Sequence, residues 1–107
     1  YNKRINIIIM KKFLNIYNDA DDVYVLCNVS DIKFVTVSET SPTTETQLFY
    51  NLKDSTTDQI IITHAVDSLG LNRNAIVAAI KEVSSKGYTK SFIEVKLPIA
   101  VTQITNG

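Results

Sequence analysis

The chain has little to offer catalytic or metal-binding chemistry. Among its 107 residues there is one histidine, one cysteine and no tryptophan. A single cysteine, Cys27, rules out an intrachain disulfide and with it the stapled secreted scaffolds. Zinc clusters need several Cys or His at short spacing, and that spacing is absent. Gly70 and Gly87 stand alone, so no glycine-rich loop of the Walker or dinucleotide type can cradle a phosphate. Neither charge sign is in excess: Lys plus Arg is 11 and Asp plus Glu is 11. Non-specific nucleic-acid binders carry a basic surplus that captures phosphates, and here there is none. A zero balance also removes one barrier to self-association.

Long hydrophobic runs are missing too. No stretch approaches the ~18 apolar residues that a membrane-spanning helix needs. Ile7-Ile8-Ile9-Met10 is shorter than the roughly 7–15 residues of a signal-peptide core. Asn28-Val29-Ser30 matches the N-glycosylation pattern. With no secretory segment apparent in these residues, the expectation is a chance match.

What is present is a globular composition, with 45% hydrophobic and 21% charged residues. A chain of this length is expected to form one domain with its own core. The only methionine is Met10, and Met10-Lys11-Lys12-Phe13 reads as an ordinary bacterial or viral start. The expectation is that translation begins there, residues 1–9 being an upstream extension or N-terminal arm and residues 10–107 a single domain. The other reading is a genuine N-terminal strand over Ile5 to Ile9.

From Lys11 to Ala65 the pattern is that of strands. Residues 11–17 place Phe13, Asn15 and Tyr17 on one face and Leu14 and Ile16 on the other. Asn18 to Asp22 is a turn. Residues 23–29 are strongly β-prone, with Val23, Val25, Cys27 and Val29 on one side. Residues 32–38 and 46–52 form a hairpin candidate across the polar loop of Glu39 to Glu45, which holds Pro42. Residues 59–65, with Ile60-Ile61-Ile62, read as a strand covered on both faces.

Residues 72–86 switch period. Ala75, Ile76, Ala79, Ile80 and Val83 recur at three and four residues and share one helical face. Asn72 or Asn74 can serve as N-cap, Lys86 opposes the helix dipole, and Gly87 supplies a left-handed stop. Residues 91–97 alternate again until Pro98, and residues 99–107 read as a short strand or a tail. The fold class is therefore α+β: a mainly antiparallel sheet of five to six strands, one helix (about 72–86) on one face, and a strand after it that returns beside the first. A partly closed small barrel is the other arrangement these elements allow.

Four groups of residues merit weighing for chemistry. His64 as a general base would need a nucleophile and an orienting carboxylate, with Ser68, Cys27 and Asp67 as nominal partners. The plainer reading is a structural or surface histidine at the turn before the helix. Cys27 lacks the helix N-terminus or nearby cations that activate a thiolate, so a buried inert thiol is expected. Asp19, Asp21 and Asp22 are spaced for a hard cation but lack the Gly and distal Glu of an EF-hand loop. A solvated turn is expected, a weak calcium site being the other reading. Tyr17, Tyr24, Tyr50 and Phe34, with Lys33 and Lys53, could make a stacking platform for single-stranded nucleic acid. Cross-strand packing explains aromatics in strands without a ligand. No catalytic, cofactor-binding or metal-ligating residue is assigned, and no cofactor is expected.

Taken in order, the opening from Met10 to Ile16, Leu48-Phe49-Tyr50, Ile60 to Ala65, the helix with Ala75, Ala79 and Ile80, and Val95-Lys96-Leu97-Pro98 resemble small uncharacterised proteins of marine and other environmental tailed phages. Some of these are thought to be virion components. The similarity spans residues 10 to about 100 and brings no functional residues with it. It implies host cytoplasm or virion as the setting.

The expectation is a non-enzymatic structural or interaction module that self-associates, as a homo-oligomer, or docks to a viral assembly partner. The rivals are a small-ligand or nucleic-acid binding module using the strand tyrosines, and a hydrolase or transferase centred on His64. A contiguous apolar patch would favour the first, a tyrosine-lined pocket the second, and His64 in a cleft beside Ser or Cys the third.

Overall fold

The structure, a computed structural model, describes residues 11–30, 32–50, 59–86 and 91–106. Its elements run β1 (Phe13–Asn18), β2 (Val23–Asn28), β3 (Phe34–Val37), β4 (Glu45–Phe49), β5 (Gln59–His64), α1 (Leu71–Ser85), β6 (Phe92–Val95) and β7 (Val101–Asn106). Residues 1–9, the extension or arm of the sequence analysis, lie outside the described residues. So do Asp31, Leu52, Lys53 and Gly87.

The strand alternation works as expected. In β1, Leu14 and Ile16 have no solvent exposure, while Phe13, Asn15 and Tyr17 are half-buried on the opposite face. The turn after β1 holds Asp22 at φ 54, the left-handed region in which Asp is better tolerated than most residues. Asn18 supports that turn, its Oδ1 accepting the Ala20 amide at 3.1 Å. In β5, Ile60 and Ile62 are fully buried and Ile61 half-buried, so both faces are largely covered.

The strands divide between two sheets. The first has the order β2-β1-β6 and the second β3-β4-β5-β7. The expected hairpin is the β3–β4 pair, antiparallel with Phe34 opposite Phe49. Every pair in the second sheet is antiparallel, and β6 runs parallel to β1. The fold is thus α+β and mainly antiparallel. Seven strands in two sheets replace five to six in one, because residues 101–106 pair with β5 as a full strand. Neither sheet closes on itself: β2 and β6 are the edges of one, β3 and β7 of the other.

The chain crosses between the sheets three times among the described elements, the last time from β6 to β7. It leaves the first after β2, and α1 carries it back from β5 to β6 beside β1. That return beside the first strand was expected from the sequence. A further tie lies at the start of β7. Asp19 Oδ2 accepts the Val101 amide at 2.8 Å, and the Ala20 amide donates to the Val101 carbonyl at 3.2 Å.

Helix α1 buries Ile76, Ala79 and Val83, with Ala75 and Ile80 half-buried, and packs against β1, β3 and β6. Ile76 and Val83 are completely buried, each stabilising the fold by roughly 1.5–3 kcal/mol. They join Leu14, Ile16, Leu48, Ile60, Ile62 and Val101 in one core between the sheets.

The helix start differs from expectation. Neither Asn72 nor Asn74 caps it; the N-cap is Gly70, left-handed at φ 69, with no side-chain bond of its own. The acceptor comes from further back. Asp67 takes the Leu71 amide on Oδ1 at 2.9 Å and the Asn72 amide on Oδ2 at 2.8 Å. Asn72, fully buried, uses its side chain elsewhere. Its Nδ2 donates to the Ile99 carbonyl at 2.9 Å and its Oδ1 accepts the Ile99 amide at 2.8 Å. One amide side chain thereby imitates a strand partner and fixes the segment between β6 and β7.

Among the described residues, no helix is long and apolar enough to cross a membrane.

Candidate functional site

Of the two sheets, β2-β1-β6 has an uncovered face. Its register sets two full rows across that face, Phe92, Phe13 and Asn28, then Glu94, Asn15 and Leu26, and a third of Tyr17 and Tyr24, which Lys96 joins from just past the end of β6 by lying over Tyr17. Leu26 is 54% exposed, Phe92 43% and Tyr24 39%. The inward neighbours of these residues, Leu14, Ile16, Cys27 and Ile93, are buried, so the pleat cleanly separates core from surface.

The third row is internally organised. The Tyr17 and Tyr24 rings lie 5.1 Å apart, tilted at 58°, and the Lys96 ammonium sits 4.7 Å above the Tyr17 ring centre. Tyr17 Oη donates to the Asp22 carboxylate. That bond first, then burial and the charges of Asp22 and Asp19, push the phenol up to about 12, so the hydroxyl keeps its proton. The face is therefore an aromatic and aliphatic surface with Glu94 and Lys96 on the β6 side and the Asp22 carboxylate at its Tyr17 end.

The aromatic platform imagined from the sequence is split apart. Tyr17 and Tyr24 lie on this face. Phe34 belongs to the other sheet, stacked on Phe49 with ring centres 4.7 Å apart and planes at 18°. Tyr50 packs against the core and donates to the Asn28 carbonyl at 3.3 Å. Lys33 is exposed beside β3, and Lys53 lies outside the described residues.

A cleft of about 440 Å³ lies on the outer side of the second sheet, between the Phe34–Phe49 pair and Thr36, Ser38, Glu39, Thr40 and Gln47. Its size suits a small ligand. None of the strand tyrosines lines it.

His64 is buried at 3% exposure. Its Nδ1 is 2.8 Å from the Ala65 carbonyl, and a carbonyl only accepts, so Nδ1 carries the proton. In the neutral ring Nε2 then accepts from the Thr46 hydroxyl at 3.0 Å. Both nitrogens are engaged, and the bond from Nε2 to Thr46 holds the end of β5 to β4. Ser68 and Cys27 are not among the partners of His64, and the Asp67 carboxylate is occupied by the helix amides. The structure does not bring the four residues together as a catalytic group.

Cys27 is fully buried on β2, 3.7 Å from the Val25 carbonyl, and burial pushes its thiol up to about 11. The thiolate is the reactive form, so the native protein should resist alkylation at pH 8. The expected result is labelling by a maleimide only at the rate of unfolding, with full labelling in denaturant. Stoichiometric labelling within seconds in native buffer would contradict the burial.

Asp19, Asp21 and Asp22 turn apart to separate partners: the Val101 amide, Asn18 Nδ2 at 3.3 Å and the Tyr17 hydroxyl. No group of three or more potential metal ligands occurs among the described residues.

Sequence reasoning identified Tyr17 and Tyr24 but missed Leu26, Phe92, Glu94 and Lys96 as their neighbours. The alternation within each strand carried that signal; the pairing of β6 with β1 that assembles it did not show.

The chain matches no protein-family model, no curated protein and no solved structure in comparisons with known proteins.

Proposed function

We propose that this chain is a non-enzymatic structural or interaction module that works by associating with itself or with a larger assembly. One observation carries the reading: the outer face of β2-β1-β6, with Leu26, Phe92 and Tyr24 well exposed beside Phe13 and Tyr17. Contiguous apolar surface on a soluble domain marks interaction sites, whereas isolated exposed apolar residues do not. Aromatic residues are also enriched where proteins meet. The formal net charge of zero removes the repulsion that keeps copies apart. The pattern shared with small tailed-phage proteins makes a virion-associated assembly the setting of this reading.

A second reading rests on the cleft beside Phe34 and Phe49, whose mixed apolar and hydroxyl lining suits a small, partly polar ligand.

Light scattering over a wide concentration range tests the first reading. The expected result is a discrete oligomer whose mass is a multiple of 12.0 kDa. A mass fixed at one chain at every concentration would overturn self-association and leave the cleft as the place to search.

A further inference from the structure

The charges on the exposed face say how two copies would meet. Glu94 on β6 and Lys96 just past its end lie on the same side of the sheet, separated by one half-buried residue, Val95. Both are exposed and are the formal charges within the three rows; Asp22 adds an anion at the rim, its carboxylate on the Tyr17 hydroxyl, and the Lys96 ammonium lies over the Tyr17 ring.

Two sheets packing face to face keep their strands within about 30° of alignment. A closed pair of identical copies has a two-fold axis, for which two directions in the interface are then available. An axis along the strands would lay β6 of one copy over β2 of the other. Glu94 and Lys96 would then be covered by Leu26 and Tyr24, and a charge covered without a partner is strongly unfavourable. An axis across the strands, level with Val95, lays β6 over β6 in opposite directions. Glu94 of each copy then meets Lys96 of the other, twice by symmetry. The same operation sets Leu26 over Tyr24 and Asn15 over Tyr17. This second arrangement gives each Glu94 a cation and covers Leu26, Tyr17 and Tyr24, while Phe92 and Phe13 fall outside the overlapping rows.

Resting on the self-association reading, we propose that the chain forms a two-fold dimer through the outer face of β2-β1-β6, with Glu94 and Lys96 exchanged between copies. The surface complements itself: each copy supplies the anion its partner's cation needs, with no external partner of unlike charge. The loop ahead of α1 also exposes Val66 and Leu69, at 70% and 77%. It lacks that paired charge pattern.

Charge reversal tests the pairing. E94K gives a face with two cations, and K96E a face with two anions. Each alone should dimerise at least about tenfold more weakly than the unchanged chain, since like charges then meet twice. An equimolar mixture of the two variants should form a heterodimer near the original affinity, because every cross-pair is again of opposite sign. The double variant E94K/K96E should likewise recover. Both side chains are exposed, and circular dichroism reports whether each variant keeps its fold. If the unchanged chain dimerises but the single reversals do not weaken it, or the mixture fails to recover, the face is wrong and another surface mediates association. If the unchanged chain is a monomer throughout, the reading beneath this proposal falls with it, a result visible before any substitution is made.

Discussion

Replacing Asn72 by Asp should destabilise this protein by about 3–5 kcal/mol at pH 7, although the two side chains have nearly the same shape. The loss comes from what Asn72 does with its two ends. Nδ2 donates to the Ile99 carbonyl and Oδ1 accepts the Ile99 amide, both in a fully buried position. A carboxylate can still accept from the amide, but its other oxygen would face the carbonyl oxygen across a hydrogen-bond distance with no proton between them. It would also lie beside the Asp67 carboxylate, which receives the Asn72 amide. The introduced carboxyl will therefore hold a proton more tightly when folded than when unfolded. A folded pKa raised in this way means that stability is regained as pH falls through it. Asn72→Ala should cost about 2–3 kcal/mol, mainly by orphaning the Ile99 backbone groups, with no such pH dependence. Denaturant melts of both variants at pH 7 and pH 5 check this. If Asn72→Asp matches the unchanged protein at pH 7, the double bond to Ile99 is not holding the segment before β7.

Asp67 carries the second large effect. Burial alone would raise its pKa, but the Asn72 and Leu71 amides, aided by His64 and the Gly70 amide, hold the carboxyl below its ordinary 3.8. Its own amide donates to the Thr43 carbonyl at 2.8 Å, so one residue joins the β3–β4 connection to the start of the helix. Asp67→Ala leaves two helix-start amides without their charged acceptor, and a loss of about 2–3 kcal/mol is expected. The sign of the pH dependence follows from the depressed value. The stabilisation is complete above the unfolded carboxyl pKa, near 4, and is lost as pH falls through the folded one. The unchanged protein should therefore lose stability from about pH 4 downward. Asp67→Asn should flatten that part of the profile, and urea melts between pH 6 and pH 2.5 provide the comparison. An unchanged acid slope in Asp67→Asn would place the titrating group elsewhere.

The two substitutions mark where the sequence stops being legible. Alternation in Leu14 and Ile16, and the three- and four-residue spacing of Ile76, Ala79 and Val83, report which side of an element is buried. Burial depends on such periodicity, and elements match the reading to within a few residues. Pairing is different. Nothing local in residues 101–106 says that they will lie beside β5, nor that the seven strands will separate into two sheets. That follows from which apolar faces close around one core. Polar side chains are harder still. Asn72 reads as an ordinary capping residue and Asp67 as a nominal partner of His64, and their actual partners, Ile99 and the amides after Gly70, are fixed only once the helix is seated. The interaction face was half visible: alternation set Tyr17 with Phe13 and Asn15 on one face of its strand, but Glu94 and Lys96 join it through a strand that arrives from far along the chain.

That distant strand also governs the order of assembly during synthesis. The β1–β2 hairpin pairs neighbouring segments and precedes β6 and β7 in the chain, although its turn is later tied to Val101. Its neighbour β6 emerges from the ribosome only after β3, β4, β5 and the helix have been translated. Until then the β1 edge that β6 will occupy is open, and Leu14, Ile16 and Cys27 lack part of their cover. Such a nascent hairpin is a natural client for a chaperone. The outer face does not depend in the same way on the late strand for its aromatic pair: Tyr17 and Tyr24 are already side by side. Two growing chains on neighbouring ribosomes therefore carry the centre of that face before either can finish its fold.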